Sequence, residues 1–194
     1  PTLPGEIIPT TTETALDAVQ SFLRVADSIT RGDPEIAVIA GTRILTRGLR
    51  LASLPPSSEP PLAEAATAMT LSSPGSNRPG ARVTLGGAVL HCTPLIPEVI
   101  QQTIGAALEV SALRASQIRQ ILSATTAPDA RRTELEAIIP DFQTQQRLDL
   151  PRRLGNAGAS NGLLAIQTAF QENMPTLVLA CESTGCGAVV VGTV

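Results

Sequence analysis

Lysine, tryptophan and tyrosine are absent from this chain of 194 residues, and phenylalanine occurs only three times. A core with so few aromatic rings must be filled mainly by Ala, Val, Ile and Leu, packed between layers of strand and helix. Hydrophobic residues make up 43% of the sequence, which is enough for such a core. The composition therefore predicts a globular chain of the α/β class.

Basic residues are in the minority and are all of one type. The 14 positive side chains are all arginine, and 17 acidic residues bring the net charge to -3. A nucleic-acid surface needs a basic excess, so we expect no nucleic-acid partner. Two arginine doublets, Arg131 with Arg132 and Arg152 with Arg153, are interpreted as solvated faces rather than as anion sites.

Cysteine and histidine are also scarce, with three copies and one copy. An odd cysteine count argues against a disulfide framework and indicates a reducing compartment, for which the cytoplasm is the default. No apolar run is long enough to span a bilayer, and the N-terminus lacks the features of a signal peptide, so we expect no membrane association. Because the chain begins at Pro1 rather than Met, we expect an upstream segment to have been removed or to lie outside it.

The hydrophobic periodicity predicts alternating helices and strands. We expect helices at 13–31, 97–113, 131–139 and 163–172, and strands at 35–44, 63–71, 81–92, 117–125, 176–181 and 187–194. Thr10 and Glu13 could form a capping box for the first helix. The strand at 35–44 reads as one buried on both faces of a largely parallel sheet, and the last two strands read as an antiparallel pair. Loops rich in Pro and Ser at 54–61 and 72–80 predict a division into residues 1–75 and 76–194.

The few residues with reactive side chains do not form a recognisable site. His91 and Cys92 are adjacent and would point to opposite faces of a strand, so His91 is interpreted as a core or boundary histidine. Cys181 and Cys186 lack the further ligands of a tetrahedral metal site and are expected to be buried as small hydrophobic side chains. We therefore predict no metal site and no cofactor.

Two further patterns, a glycine-rich segment and a carboxylate pair, also have structural interpretations. The segment GNAGASNG at 155–162 lacks the lysine of a P-loop and the downstream acid of a dinucleotide-binding turn, so its glycines are expected to allow close packing rather than to hold a phosphate. Glu134 and Glu136 are two positions apart on a predicted helix and do not converge. Both are interpreted as a solvated face rather than an acid–base pair.

Four motifs occur in a fixed order along the chain. They are LDAVQSFLRVADSITRGDPEIAVIAGTRI at 16–44, LEAI at 135–138, LGNAGASNGLLAIQ at 154–167 and LVLACESTGCGAVVVGTV at 177–194. In this order they resemble the ketosynthases of fatty-acid and polyketide synthesis, which belong to the thiolase-like superfamily. The resemblance implies a thiolase-like α/β fold of alternating helix and sheet layers, represented here in part, by the end of its first half and most of its second.

The resemblance also indicates where the catalytic residues of the family would lie, and this chain has replaced them. The nucleophilic cysteine falls at or beside Ala15, the first histidine near Thr125 and the second histidine on Asn156. A condensing enzyme needs a thiolate to hold the acyl chain and imidazoles to assist decarboxylation. Alanine and asparagine cannot supply these groups, so we predict no catalytic residue in this chain.

A ketosynthase-like chain with these replacements resembles the chain-length factors, which pair with an active ketosynthase and shape its acyl tunnel. The resemblance implies an active ketosynthase as the partner and an acyl carrier protein as an indirect one. We expect an obligate dimer whose interface uses residues 6–22. Two alternatives stay open, namely a divergent acyl-thioester enzyme that uses other residues and a homo-oligomeric scaffold.

Overall fold

The structure is a computed structural model that describes residues 13–33, 36–44, 60–73, 83–138, 141–142, 145–172 and 174–193. Its helices are α1 (Ala15–Arg31), α2 (Pro97–Ser111), α3 (Pro128–Ile138), α4 (Leu150–Leu154) and α5 (Ala159–Gln171). Its strands are β1 (Ile36–Arg43), β2 (Ala65–Ser72), β3 (Val83–His91), β4 (Gln120–Ser123), β5 (Gln146–Asp149), β6 (Thr176–Glu182) and β7 (Gly185–Thr193). A short 3-10 helix at Ala115–Gln117 precedes β4.

Helix α1 begins at a capping box. The backbone N–H of Asp17 donates to Thr14 Oγ1 at 3.2 Å, and the backbone N–H of Thr14 donates to Asp17 Oδ2 at 3.1 Å. These bonds satisfy two amide groups that a helix start leaves unpaired. The N-cap of this helix is therefore Thr14, whereas Thr10 of the expected box lies outside the described residues. The helix ends as predicted at Gly32, which has a left-handed φ of 81°.

Strands β1 and β2 form a separate antiparallel pair, in which Ala40 lies opposite Ala68. Exposure alternates along β1, and Val38 is 67% exposed. The prediction that this segment is buried on both faces of a parallel sheet is therefore wrong. Gly41, on the other face, lies close enough to α5 that a Cβ there would be 2.9 Å from Leu163 Cδ1. One face of the pair is thus covered by a helix, and the other is open within the described chain.

The remaining strands form one five-stranded sheet in the order β3-β7-β6-β4-β5. Strands β5, β4 and β6 run parallel, whereas β7 is antiparallel to both β6 and β3. The antiparallel pairing of the last two strands is confirmed. The sheet is nevertheless mixed rather than largely parallel. Its edge strand β5 was not predicted, because its sequence QRLD lacks an apolar or β-branched pattern.

Helices α1 and α5 pack between the two sheets, and α2 and α3 cover the far face of the five-stranded sheet. Strand β6 is consequently buried on both faces, with Val178 in the cluster around α1 and α5, and Leu177 in the cluster around α2 and α3. The layers therefore alternate as sheet, helix, sheet and helix. Such alternation buries the aliphatic side chains that dominate the sequence without requiring aromatic residues.

Several expectations fall wholly or partly outside the described residues. The predicted division near residue 75 lies there, as do most of the two loops rich in Pro and Ser. The division into residues 1–75 and 76–194 stays a prediction, and α1 contacts strands on both sides of it. Within the described ranges, no helix combines the length and the apolar content needed to cross a bilayer.

Candidate functional site

A cavity of about 480 Å³ opens where the N-terminal end of α1, the end of β1, the loop after β4, the loop before α5 and the end of β6 meet. Its walls include Ala15 at the start of α1, Thr126 after β4 and Asn156 before α5. Ala15 and Asn156 are two of the positions at which the resemblance places catalytic groups. Five separate parts of the chain meet here around several polar side chains, which makes the cavity the candidate site.

Asn156 is held in place by its backbone and by its side-chain oxygen. Its backbone N–H donates to Pro61 O at 2.6 Å, and its carbonyl accepts from Ala63 N at 2.9 Å. Its Oδ1 accepts a hydrogen bond from Gly158 N at 2.9 Å and a longer one from Arg43 Nη1 at 3.4 Å. Because the oxygen is occupied by two donors, the amide nitrogen remains as the donor that this side chain offers to the cavity.

Thr125 and Thr126 are neighbours in the loop after β4, but only Thr126 lines the cavity. Thr125 is fully buried, and its hydroxyl donates to the Glu134 carboxylate and accepts from Cys181 N at 2.9 Å. Its side chain is therefore part of a buried network. Thr126, the next residue, is half-buried and lines the cavity. Of these two neighbouring threonines, Thr125 is therefore part of the buried network and Thr126 lines the cavity.

Glu134 is fully buried, so the prediction that it forms a solvated face is wrong, although Glu136 is exposed as expected. Glu134 Oε1 accepts from Arg147 Nη2 at 2.8 Å. Its Oε2 accepts from Ser123 Oγ at 3.0 Å and from the hydroxyl of Thr125. Burial raises the pKa of Glu134, and the Arg147 guanidinium and the two hydroxyl donors oppose that rise. The carboxylate therefore joins α3 to β4 and β5.

Arg131 is also buried, which corrects the prediction that both arginine doublets are solvated; the other three doublet arginines are exposed. Arg131 Nε lies 3.2 Å from Asp149 Oδ2, and Nη2 donates to the carbonyl of Thr125 at 3.1 Å. The hydrogen bond from Nη2 holds the backbone that leads directly to Thr126, and the ion pair holds the guanidinium in place. The buried charges of α3 thus serve as structural support behind the cavity.

Glu182 is an acidic side chain of the cavity that the sequence analysis missed. It is the last residue of β6, is half-buried and lines the cavity. Burial and, to a lesser extent, the negative charge of Asp17 raise the pKa of Glu182 to about 6. A carboxyl group with such a pKa exchanges protons readily near neutral pH. Strand alternation could have indicated its position, because Glu182 follows the buried Cys181 and must face the opposite side of the sheet.

The glycine-rich segment packs α5 against α1, in agreement with its predicted role. A Cβ at Gly162 would lie 2.6 Å from the carbonyl oxygen of Ala15, which is closer than real Cβ atoms approach. Gly158 lines the cavity and has a φ of 56°, and a Cβ there would lie 2.8 Å from Arg43 Nη1. The close approach of backbone and side chains explains these two glycines without a phosphate ligand.

The remaining candidates from the sequence lie away from the cavity. Cys181 and Cys186 are paired across β6 and β7, both fully buried as predicted, with their Sγ atoms 3.2 Å apart. Burial, more than the neighbouring thiol, raises the pKa of Cys181 well above the usual range. His91 lies at the exposed end of β3, so its placement in the core or at its boundary is wrong. Cys92 is half-buried and does not line the cavity.

The interface expected at residues 6–22 is described only from residue 13 onwards. In that part, the apolar side chains of Leu16, Val19 and Phe22 are buried in the core of the chain itself. The rings of Phe22 and Phe170 pack in a T-shaped arrangement, with 6.0 Å between ring centroids. The apolar face of α1 is therefore not available to a partner. Residues 6–12 lie outside the described ranges, and their part in an interface stays a prediction.

No family model matches the sequence, and no curated protein matches it either. Solved structures do match the fold. The ketosynthase from module 6 of the bacillaene synthase of Bacillus subtilis aligns with 99% of this chain and 47% of its own, with a TM-score of 0.77 and 12% identity. The ishigamide ketosynthase/chain length factor aligns with 95% of this chain and 60% of its own, with a TM-score of 0.73 and 18% identity.

An oxazolomycin ketosynthase domain of Streptomyces albus gives a TM-score of 0.70 and 14% identity, covering 91% of this chain and 62% of its own. The chain thus spans less than two thirds of each of these ketosynthase structures. At such low identities the likeness concerns the fold. The mixed five-stranded sheet, the helices packed between two sheets and these structural matches together show that this chain has the thiolase-like α/β fold of the ketosynthases, in part.

Proposed function

We propose that this chain is a ketosynthase-like subunit of the chain-length-factor type, which takes no covalent part in condensation and pairs with an active ketosynthase. The observation that carries the proposal is the lining of the cavity beside α1. Ala15 stands at the start of the helix, and Asn156 stands in the loop before α5. Within the described chain, neither a thiol nor an imidazole faces this cavity.

The chemistry that remains can bind an acyl group but cannot condense one. Alanine cannot form the acyl thioester by which a ketosynthase holds its growing chain. Asparagine can donate a hydrogen bond to an oxyanion but cannot exchange a proton near neutral pH. A cavity with donors and no nucleophilic thiol fits a subunit that supports chemistry carried out by a partner.

The partner we propose is an active ketosynthase that supplies its own cysteine and histidines, with an acyl carrier protein reaching the pair through that subunit. One of the similar structures is itself described as a ketosynthase/chain length factor, which favours this arrangement. The role of the chain would be to shape the acyl tunnel of the pair, in the cytoplasm, in fatty-acid, polyketide or polyene synthesis. The pair would be an obligate dimer.

The absence of a covalent intermediate is tested by incubating the chain with an acyl-thioester donor and measuring its intact mass. An active ketosynthase in the same assay is the control, because it must gain the mass of one acyl group. We expect no adduct on this chain. A stoichiometric adduct would contradict the proposal, and mapping it to Cys92, Cys181 or Cys186 would locate the nucleophile.

Pairing is tested by co-expression with an active ketosynthase, followed by size-exclusion chromatography with light scattering. We expect one complex that contains both chains, and we expect Ile8→Asp to dissociate it because an unpaired charge would be buried at the interface. A folded monomer that never associates with a ketosynthase would contradict pairing. A homo-oligomer alone would favour the scaffold alternative.

A further inference from the structure

We infer that the cavity has an activity of its own, the hydrolysis of an acyl thioester by direct attack of water, with Glu182 as the acid–base group. The inference rests on the proposed function only for its ligand class, the acyl thioester. It goes beyond that function because it assigns a chemical step to a chain that lacks the nucleophile of a condensing enzyme. It also names Glu182 as the residue that a divergent acyl-thioester enzyme, the alternative left open by the sequence, would use.

Glu182 is placed where its carboxylate can reach the contents of the cavity. The side chain lies at the end of β6, where it lines the same cavity as Ala15, Thr126 and Asn156. No described hydrogen bond or ion pair engages its carboxylate, in contrast to Glu134, which is held by an arginine and two hydroxyls. A half-buried carboxylate without a structural partner inside a polar cavity is available for proton transfer.

Burial, and to a lesser extent the negative charge of Asp17, place the pKa of Glu182 in the range that a general base needs. The negative charge of Asp17, on α1, repels the ionised form of Glu182. Two further charged side chains line the cavity, Glu13 just before α1 and Arg43 on β1. Burial and Asp17 together raise the pKa of Glu182 to about 6. Above this pH the side chain is an anion that accepts a proton from water, and its conjugate acid is strong enough to return that proton.

The cavity also offers donors for the charge that develops on the substrate. The oxygen of Asn156 is occupied by Gly158 N and Arg43 Nη1, so its amide nitrogen is left as a donor. The hydroxyl of Thr126 has no hydrogen-bond partner in the described residues. An amide N–H and a hydroxyl that line one cavity are groups of the kind that stabilise a tetrahedral oxyanion.

The proposed step needs only water as a second reactant. Glu182 takes a proton from water as the water oxygen bonds to the thioester carbonyl carbon, and the carbonyl oxygen becomes an oxyanion that accepts hydrogen bonds from Asn156 and Thr126. The intermediate then collapses, the C–S bond breaks with its electron pair on sulfur, and Glu182 returns the proton to that sulfur. The products are a carboxylic acid and a free thiol, and no bond to the protein forms.

The test follows hydrolysis of an acyl N-acetylcysteamine thioester by chromatography, with the purified chain and with its ketosynthase complex. We expect hydrolysis above the buffer rate, with a rate that rises through about pH 6 to a plateau. Glu182→Gln should lower the rate by about 100-fold or more. The matched control is Glu136→Gln, which removes an exposed carboxylate and should leave the rate unchanged. Thermal melting verifies that both variants fold.

The inference would be overturned by hydrolysis no faster than buffer with either sample, or by a Glu182→Gln variant as active as the Glu136→Gln control. A wild-type rate independent of pH between 5 and 8 would also exclude Glu182 as the base. These outcomes leave the proposed function intact, since pairing is measured by complex formation. Conversely, an acyl adduct in the intact mass would contradict the non-covalent reading of the cavity whatever the rate of hydrolysis.

Discussion

The described part of the chain contains the same local unit twice, a helix followed by an antiparallel pair of strands. The first unit is α1 with β1 and β2, and the second is α5 with β6 and β7. The helices of the two units pack against each other. Their strands nevertheless differ, because exposure alternates along β1, whereas β6 is buried along nearly its whole length.

The difference arises from neighbours rather than from the strands themselves. Strand β6 pairs with β4, strand β7 pairs with β3, and α2 and α3 cover the face of the sheet turned away from α1 and α5. Strands β1 and β2 pair only with each other in the described chain, and their open face carries uncharged side chains such as Val38 and Ala68. A two-stranded pair is marginal by itself, so the contact with α1 and α5 holds it in place.

A substitution at the contact between α1 and α5 should therefore destabilise both units together. Gly162→Val inserts a side chain whose Cβ would lie 2.6 Å from the carbonyl oxygen of Ala15. We expect a loss of about 3 kcal/mol in the free energy of unfolding, measured by denaturant titration. The matched control is Gly105→Val on α2, where an added Cβ meets nothing within 4 Å. Equal losses in the two variants would show that α1 and α5 do not pack as described.

A second prediction compares the two strand pairs directly. Val178→Thr on β6 places a hydroxyl in a fully buried cluster, and we expect a loss of about 2 kcal/mol because that hydroxyl gains no assured partner. Val38→Thr on β1 makes the same chemical change at a site that is 67% exposed. Its cost should stay below about 0.5 kcal/mol. If Val38→Thr cost as much as Val178→Thr, the open face of β1 and β2 would have to be covered in solution.

The two units also show how far the sequence could predict the fold. The extent of α1 and the pairing of β6 with β7 followed from local signals, namely helical periodicity ending at Gly32 and turn chemistry between two apolar runs. The sequence could not distinguish β1 from a doubly buried strand. An apolar strand has the same sequence pattern whether or not a second layer covers it, since that layer comes from other parts of the chain.

For the candidate site, the sequence indicated two positions that line the cavity, but it did not indicate the contacts that bury other side chains near it. Ala15 and Asn156 lie in one cavity, but the burial of Glu134 depends on Arg147 and Ser123, which come from separate strands. The rule that carboxylates two positions apart on a helix do not converge was correct. It did not show that one of them is buried by strands packed against the helix. Glu182 was missed for the same reason, since its neighbour Asp17 is remote in sequence.

The smallest effect we predict concerns the end of β6, the one position of that strand that is not fully buried. The folded state raises the pKa of Glu182 from 4.5 to about 6. Between these values the folded chain binds more protons than the unfolded chain, so the ionised carboxylate costs stability as the pH rises. Solvent at this half-exposed site reduces the cost to about 1 kcal/mol at pH 7.5.

Glu182→Gln does not titrate, so it should be more stable than the wild type by about 1 kcal/mol at pH 7.5 and by about zero below pH 4.5, where the wild-type side chain is protonated in both states. Denaturant titrations of both proteins at a series of pH values measure this difference.

Asp17→Asn would remove the charge that repels Glu182, but it would also break the capping box of α1. Glu136→Gln is therefore the better control, because it removes one exposed charge and should alter stability by no more than about 0.5 kcal/mol. If the Glu182→Gln advantage were the same at pH 4 and pH 7.5, the side chain would not sit in a desolvated cavity beside Asp17, and its role as a base near neutral pH would lose its physical basis.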